Sequence, residues 1–123
     1  MMENLYILIV DDELELISTL AERLEMRGIK TDFVTTGDKA LELIKKNKYN
    51  VVLLDMVLQK MRGLNVLRDI KQISPETSVI LMSGRCSEKD FENCKKEGAF
   101  DYLIKPVQID VLIEKIKEAV MNM

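Results

Sequence analysis

Five polar positions in this chain could do chemistry together. Asp11 and Asp12 follow the apolar run Leu5-Tyr6-Ile7-Leu8-Ile9-Val10, and Asp55 follows Val51-Val52-Leu53-Leu54. Ser83 follows Val79-Ile80-Leu81-Met82, and Lys105, with Pro106 behind it, follows Tyr102-Leu103-Ile104. Three carboxylates, a hydroxyl and an ammonium can bind a divalent cation and a phosphoryl group. Crowded carboxylates repel one another and tolerate this when a cation sits among them. The donors are all oxygen, so Mg²⁺ is expected, or Mn²⁺ in its place, rather than zinc. A carboxylate can also act as a nucleophile and form an acyl phosphate. Asp55 is the natural nucleophile, and the cation and the Lys105 ammonium would offset charge on the transferring group. The Ser83 hydroxyl could donate to a phosphoryl oxygen, and Gly84, with no side chain, leaves the approach open.

These positions are useful only if the fold brings them together. Each ends a short apolar run, and the runs are separated by helical patterns. A short apolar run of this kind reads as a strand buried on both faces, hence a strand of a parallel sheet. After the first run, Leu14, Ile17, Ala21 and Leu24 give one apolar helix face, and Gly28 supplies a stop. Thr31 to Val34 is a weaker strand. Gly37 opens a helix with Ala40, Leu41 and Ile44 inward, and Gly63 precedes one with Leu64, Leu67 and Ile70 that ends at Ser74-Pro75. Ser87 with Asp90 resembles a capping box for a helix with Phe91 and Cys94 that stops at Gly98. Ile109, Leu112, Ile113, Ile116 and Val120 mark the last helix. The pattern is a flavodoxin-like (βα)5 doubly wound parallel sheet with expected strand order 2-1-3-4-5. In such sheets ligands bind outside the carboxyl ends of the strands, at the switch point between strands 1 and 3.

Bulk properties narrow the field further. At 123 residues the chain fits one domain, taken as residues 1–123. A net charge of −3 lacks the basic balance of a nucleic-acid-binding domain, so no direct contact with nucleic acid is expected. No apolar run approaches a membrane span. The start, Met1-Met2-Glu3-Asn4, lacks the features of a signal peptide, so a cytoplasmic location is expected. The chain has no histidine, which excludes a His-ligated metal and an internal phospho-His carrier. Cys86 and Cys94 are poorly placed for a disulfide, and the expectation is a buried Cys94 and an incidental Cys86.

The chain resembles, over its full length, the receiver domain of two-component response regulators. The resemblance is carried by Ile9-Val10-Asp11-Asp12-Glu13, Leu53-Leu54-Asp55-Met56, Gly63, Met82-Ser83-Gly84, Gly98-Ala99 and Asp101-Tyr102-Leu103-Ile104-Lys105-Pro106. It implies that Asp55 is the phosphoacceptor, taking its group from the phospho-His of a sensor histidine kinase or a His phosphotransfer protein. It implies that Asp11, Asp12, Asp55 and the backbone carbonyl of Val57 hold Mg²⁺. Ser83 and Lys105 would contact the phosphoryl group, and Lys105-Pro106 would be cis. Ser83 and Tyr102 would form a switch that changes the face of the fourth helix, fifth strand and fifth helix, controlling an output domain or a downstream protein. The same mechanism implies some active-like population before phosphorylation. The protein would be a monomer that phosphorylation could bring to dimerise. It would be a signalling domain rather than an enzyme, at most promoting its own phosphorylation and slow dephosphorylation.

Departures from the pattern carry expectations of their own. Gln59 stands where the family usually has Pro, which leaves that loop freer. Val57 and Arg85 border the path of an attacking water; apolar Val57 cannot orient one, so slow self-dephosphorylation is expected. Arg85 could pair with a phosphoryl oxygen or a partner, or be simply solvated. Bland readings compete at single positions: Asp12 as a helix cap or turn former, Tyr102 as a core aromatic, and Glu13 as a first-turn acid favourable to the helix dipole, though its side chain could reach a metal-bound water. Three other functions are weighed against the receiver. An aspartate-nucleophile phosphatase would want Asp at position 57, which is Val. A flavin carrier would want a phosphate cradle where Asp11-Asp12-Glu13 stands. A phosphorylation-independent docking module is the third.

Overall fold

The structure, a computed structural model, describes residues 4–57, 63–84 and 88–121. Five strands alternate with five helices. The strands are β1 (Tyr6–Val10), β2 (Lys30–Val34), β3 (Val51–Asp55), β4 (Ser78–Ser83) and β5 (Asp101–Ile104). The helices are α1 (Leu14–Glu25), α2 (Gly37–Lys46), α3 (Gly63–Ile73), α4 (Glu88–Lys96) and α5 (Ile109–Met121). All neighbouring strands are parallel, in the order β2-β1-β3-β4-β5. This is the flavodoxin-like (βα)5 arrangement expected from the alternating runs.

Strand alternation divides the interior into two cores. Ile7, Ile9, Val51, Leu53 and Ile80 face Ile17, Leu24, Leu112 and Ile116 of α1 and α5. Leu8, Val10, Val52, Leu54, Val79 and Leu81 face Ala40, Ile44, Leu67, Ile70 and Cys94 on the other side. β3 is buried at every residue because it is covered on both faces and paired on both edges. The period of two then predicts which side chains meet at the strand ends. Asp11, Asp55 and Lys105 continue the α1/α5 parity, whereas Ser83 and Tyr102 continue the other.

Local chemistry explains the element ends. Thr36 caps α2 by accepting from the Lys39 N–H at 3.2 Å. Gly28 (φ +80) ends the turn after α1 in a left-handed conformation. One expectation is corrected at α1. The helix begins only at Leu14, with Glu13 at the N-cap position, so Leu14 lies in the first turn and is 55% exposed. Leu20 instead joins Ile17, Ala21 and Leu24 on the buried face. The turn-forming acid is Asp11, which accepts the Glu13 N–H at 2.8 Å.

The amino edge of the sheet is laced by polar groups. Tyr6 N–H donates to Asn50 Oδ1 (2.9 Å), Ser78 N–H to the Asn50 carbonyl (3.1 Å) and Thr77 Oγ1 to the Tyr49 carbonyl (2.9 Å). Lys71 Nζ donates to the carbonyls of Pro75 (2.8 Å) and Thr77 (2.7 Å). Its aliphatic stem lies under Gly98 (φ +109), where an added Cβ would come 3.0 Å from Lys71 Cγ. Beside this edge, the hydroxyls of Tyr6 and Tyr49 both donate to Asp32 Oδ2. Burial and that carboxylate push the Tyr49 phenol well above its ordinary value. Among the described residues no helix is long and apolar enough to cross a membrane. Cys94 is buried, as expected; Gln59, Arg85, Cys86 and Ser87 lie outside the described residues.

Candidate functional site

The carboxyl ends of β1, β3 and β5 converge on one acidic pocket. Carboxylate oxygens of Asp11, Asp12 and Asp55 lie within 4.8 Å of one another. Asp11 is fully buried, Asp55 is 5% exposed and Asp12 is half-buried. Burial on this scale is unfavourable for ionised groups unless they find partners. Asp55 Oδ1 accepts the Val57 N–H at 3.2 Å. Asp11 Oδ1 accepts from Glu13, whereas its Oδ2 accepts no hydrogen bond among the described residues. What faces Asp11 Oδ2 is the Lys105 ammonium, at 2.7 Å.

Lys105 reaches the pocket from the end of β5, where its N–H donates to the Ser83 carbonyl (2.8 Å) and its bond to Pro106 is cis. Its Nζ lies 2.7 Å from Asp11, 3.2 Å from Glu13 Oε1 and 3.5 Å from Asp55 Oδ2. The ammonium therefore acts as the pocket's internal cation. Burial pulls its pKa down, but the carboxylates of Asp11, Asp55 and Glu13 outweigh this and push it up to about 12. Asp55 shows the opposite balance. Burial raises its pKa above the ordinary carboxylate value, the Val57 N–H and Lys105 favour ionisation, and the Asp11 charge opposes it.

These groups suit a hard divalent cation. Three carboxylates within bridging distance form an oxygen-only donor set. Ser83 is buried at the end of β4, one register step beyond the Met82 that faces Asp55. Tyr102 is half-buried on the other side of the sheet, its ring centroid 4.4 Å from that of Phe91 in α4. Val57 is 74% exposed at the pocket rim. Asp11, Asp12, Asp55, Ser83 and Lys105 thus all lie at the carboxyl edge of the sheet. Glu13 is a further member; it stands at the N-cap position of α1, and its carboxylate lies 3.2 Å from the Lys105 ammonium.

A family model of the response regulator receiver domain matches residues 7–117. This chain belongs to that family. Among curated relatives, the receiver is 36% identical over 118 residues to the transcriptional regulatory protein YkoG of Bacillus subtilis, covering 96% of this chain and 52% of that protein. It is 37% identical over 111 residues to CpxR of Escherichia coli, covering 90% of this chain and 47% of the other. The receiver thus spans about half the length of these transcriptional regulators. Among solved structures, a CheY-like receiver domain protein of Methanospirillum hungatei superposes with a TM-score of 0.91 at 30% identity, covering 96% of this chain and 94% of that one. A two-component response regulator of Clostridium difficile gives a TM-score of 0.91 at 27% identity, with 98% of each chain covered.

Proposed function

We propose that this receiver takes a phosphoryl group onto Asp55 from the phospho-His of a sensor kinase or His phosphotransfer protein. The observation that carries the reading is the meeting of Asp55 with Asp11, Asp12 and Lys105 in one buried pocket. A carboxylate oxygen of Asp55 attacks phosphorus; the new O–P bond forms as the P–N bond to the donor imidazole breaks, and the imidazole leaves with the electron pair. Asp11, Asp12, Asp55 and the Val57 carbonyl would hold Mg²⁺, which when bound neutralises charge on the phosphoryl oxygens. Lys105 and Ser83 hold the group by donating to it. Lys105 also favours the ionised Asp55 that attack requires, against the effect of burial.

Ser83 and Tyr102 share the sheet face opposite Asp55 and Lys105, which supports reading them as a switch pair. Ser83 moves toward the phosphoryl group, and Tyr102 turns into the space it leaves. Because Tyr102 packs on Phe91, that turn alters the α4-β5-α5 face, which meets an output domain or a downstream protein. The half-length relatives, all transcriptional regulators, favour an output in transcription.

The deciding experiment is intact mass after incubation with Mg²⁺ and a small acyl phosphate. The expected result is a gain of one phosphoryl group, about 80 Da, that requires Mg²⁺ and is absent in Asp55→Asn. No gain in a folded protein would favour a docking module that works without phosphorylation. A second expected result concerns lifetime. Val57 offers no polar atom on its side chain to orient a water, so the purified phosphoprotein should lose its group slowly. A half-life of seconds by the same mass measurement would overturn this.

A further inference from the structure

Glu13 is the fourth acid at the pocket and differs from the other three in how it is held. Its backbone N–H is tied to Asp11 Oδ1 at 2.8 Å, which fixes where the residue starts. Its side chain makes no capping bond to α1 and is 62% exposed, yet it points back to Lys105 Nζ at 3.2 Å. The same ammonium lies 2.7 Å from Asp11 and 3.5 Å from Asp55. Asp11 and Asp55 are the carboxylates that would hold a divalent cation, and a cation there would draw on the same charges that Lys105 now pairs with. Glu13 lies outside that donor set and remains available to Lys105.

Resting on the reading of Asp55 as phosphoacceptor, we infer that Glu13 is a positioning residue that holds the Lys105 ammonium at the pocket rim. Glu13 competes with a phosphoryl oxygen on Asp55 for the Lys105 ammonium. Glu13 therefore acts against the phosphorylated geometry, through Lys105, and sets how readily the pocket accepts a tetrahedral anion. The pair is partly exposed, so its influence is modest.

The test uses beryllofluoride, a phosphoryl mimic whose binding needs no transfer chemistry, with affinity measured by calorimetry on the whole chain at saturating Mg²⁺. Glu13→Gln should bind beryllofluoride roughly 3-fold more tightly than wild type. The same substitution in a Lys105→Met background should change nothing, because the group through which Glu13 acts is gone. Equal tightening in both backgrounds would overturn the inference, since it would mean simple repulsion between Glu13 and the anion. Unchanged affinity in Glu13→Gln would overturn it as well. A second measurement serves if Lys105→Met binds too weakly to compare. The Lys105 side-chain ammonium resonance, followed by NMR at saturating Mg²⁺ before the anion is added, should shift in Glu13→Gln, and an unmoved resonance rejects the inference. Failure of the parent reading looks different: wild type itself would then bind no beryllofluoride.

Discussion

Replacing Lys105 with Met should slow phosphoryl uptake from a small acyl phosphate by about 100-fold or more, the usual loss when one preorganised donor to a developing anion is removed. The Lys105 side chain is only 16% exposed and its ammonium is shared among three carboxylates, so its loss removes the cation these acids face among the described residues. Its loss leaves Asp11 Oδ2 facing Asp55 across the pocket, and the Asp55 carboxyl should rise further. The variant should also be less stable, and added Mg²⁺ should restore more stability to it than to wild type. The pH dependence has a definite sign. Burial lowers the Lys105 pKa, its carboxylate partners raise it more, and the net shift is from 10.5 to about 12. Stabilisation from this pairing is therefore complete below pH 10.5 and lost as pH rises through about 12. The Met variant should lack that alkaline loss. Uptake within a few-fold of wild type, timed by intact mass, would remove Lys105 from the transfer step.

The second large effect lies in the sheet rather than the pocket. Leu53→Ala should cost about 3–4 kcal/mol of unfolding free energy, read from urea titration. Leu53 is fully buried in the central strand, between Ile9 on β1 and Ile80 on β4, under the α1 and α5 layer. The flanking strands are fixed by their ladders, so little can collapse into the space left. Such a loss is a large part of the ~5–15 kcal/mol that holds a typical domain together. It also bears on function, because Asp55 lies two residues along the same strand. A loss below about 1 kcal/mol would show that the core relaxes around this position.

The pocket was legible in the sequence because its parts end apolar runs. A run of four or five apolar residues fixes a strand, and the strand's direction then fixes where Asp11, Asp55, Ser83 and Lys105 must emerge. What stayed hidden is of another kind. Leu14 fits the apolar spacing of α1 but is exposed, because periodicity does not say where a helix starts. Glu13 reads as an acid near a helix start, and nothing local reveals a lysine 92 positions away. The convergence of Tyr6 and Tyr49 on Asp32 joins residues 26 and 17 positions apart, on elements whose pairing offset no run of residues encodes.

The polar lacing at the amino edge makes the sheet a cantilever. Asn50, Tyr49, Thr77 and Lys71 clamp the starts of β1, β3 and β4 to the loops beside them. The opposite tips carry Asp11, Asp55 and Lys105, joined by ion pairs that can be exchanged without breaking the clamp. Exchange of those ion pairs requires no change at the clamped end, so the same strands anchor the sheet at one end and present the chemistry at the other.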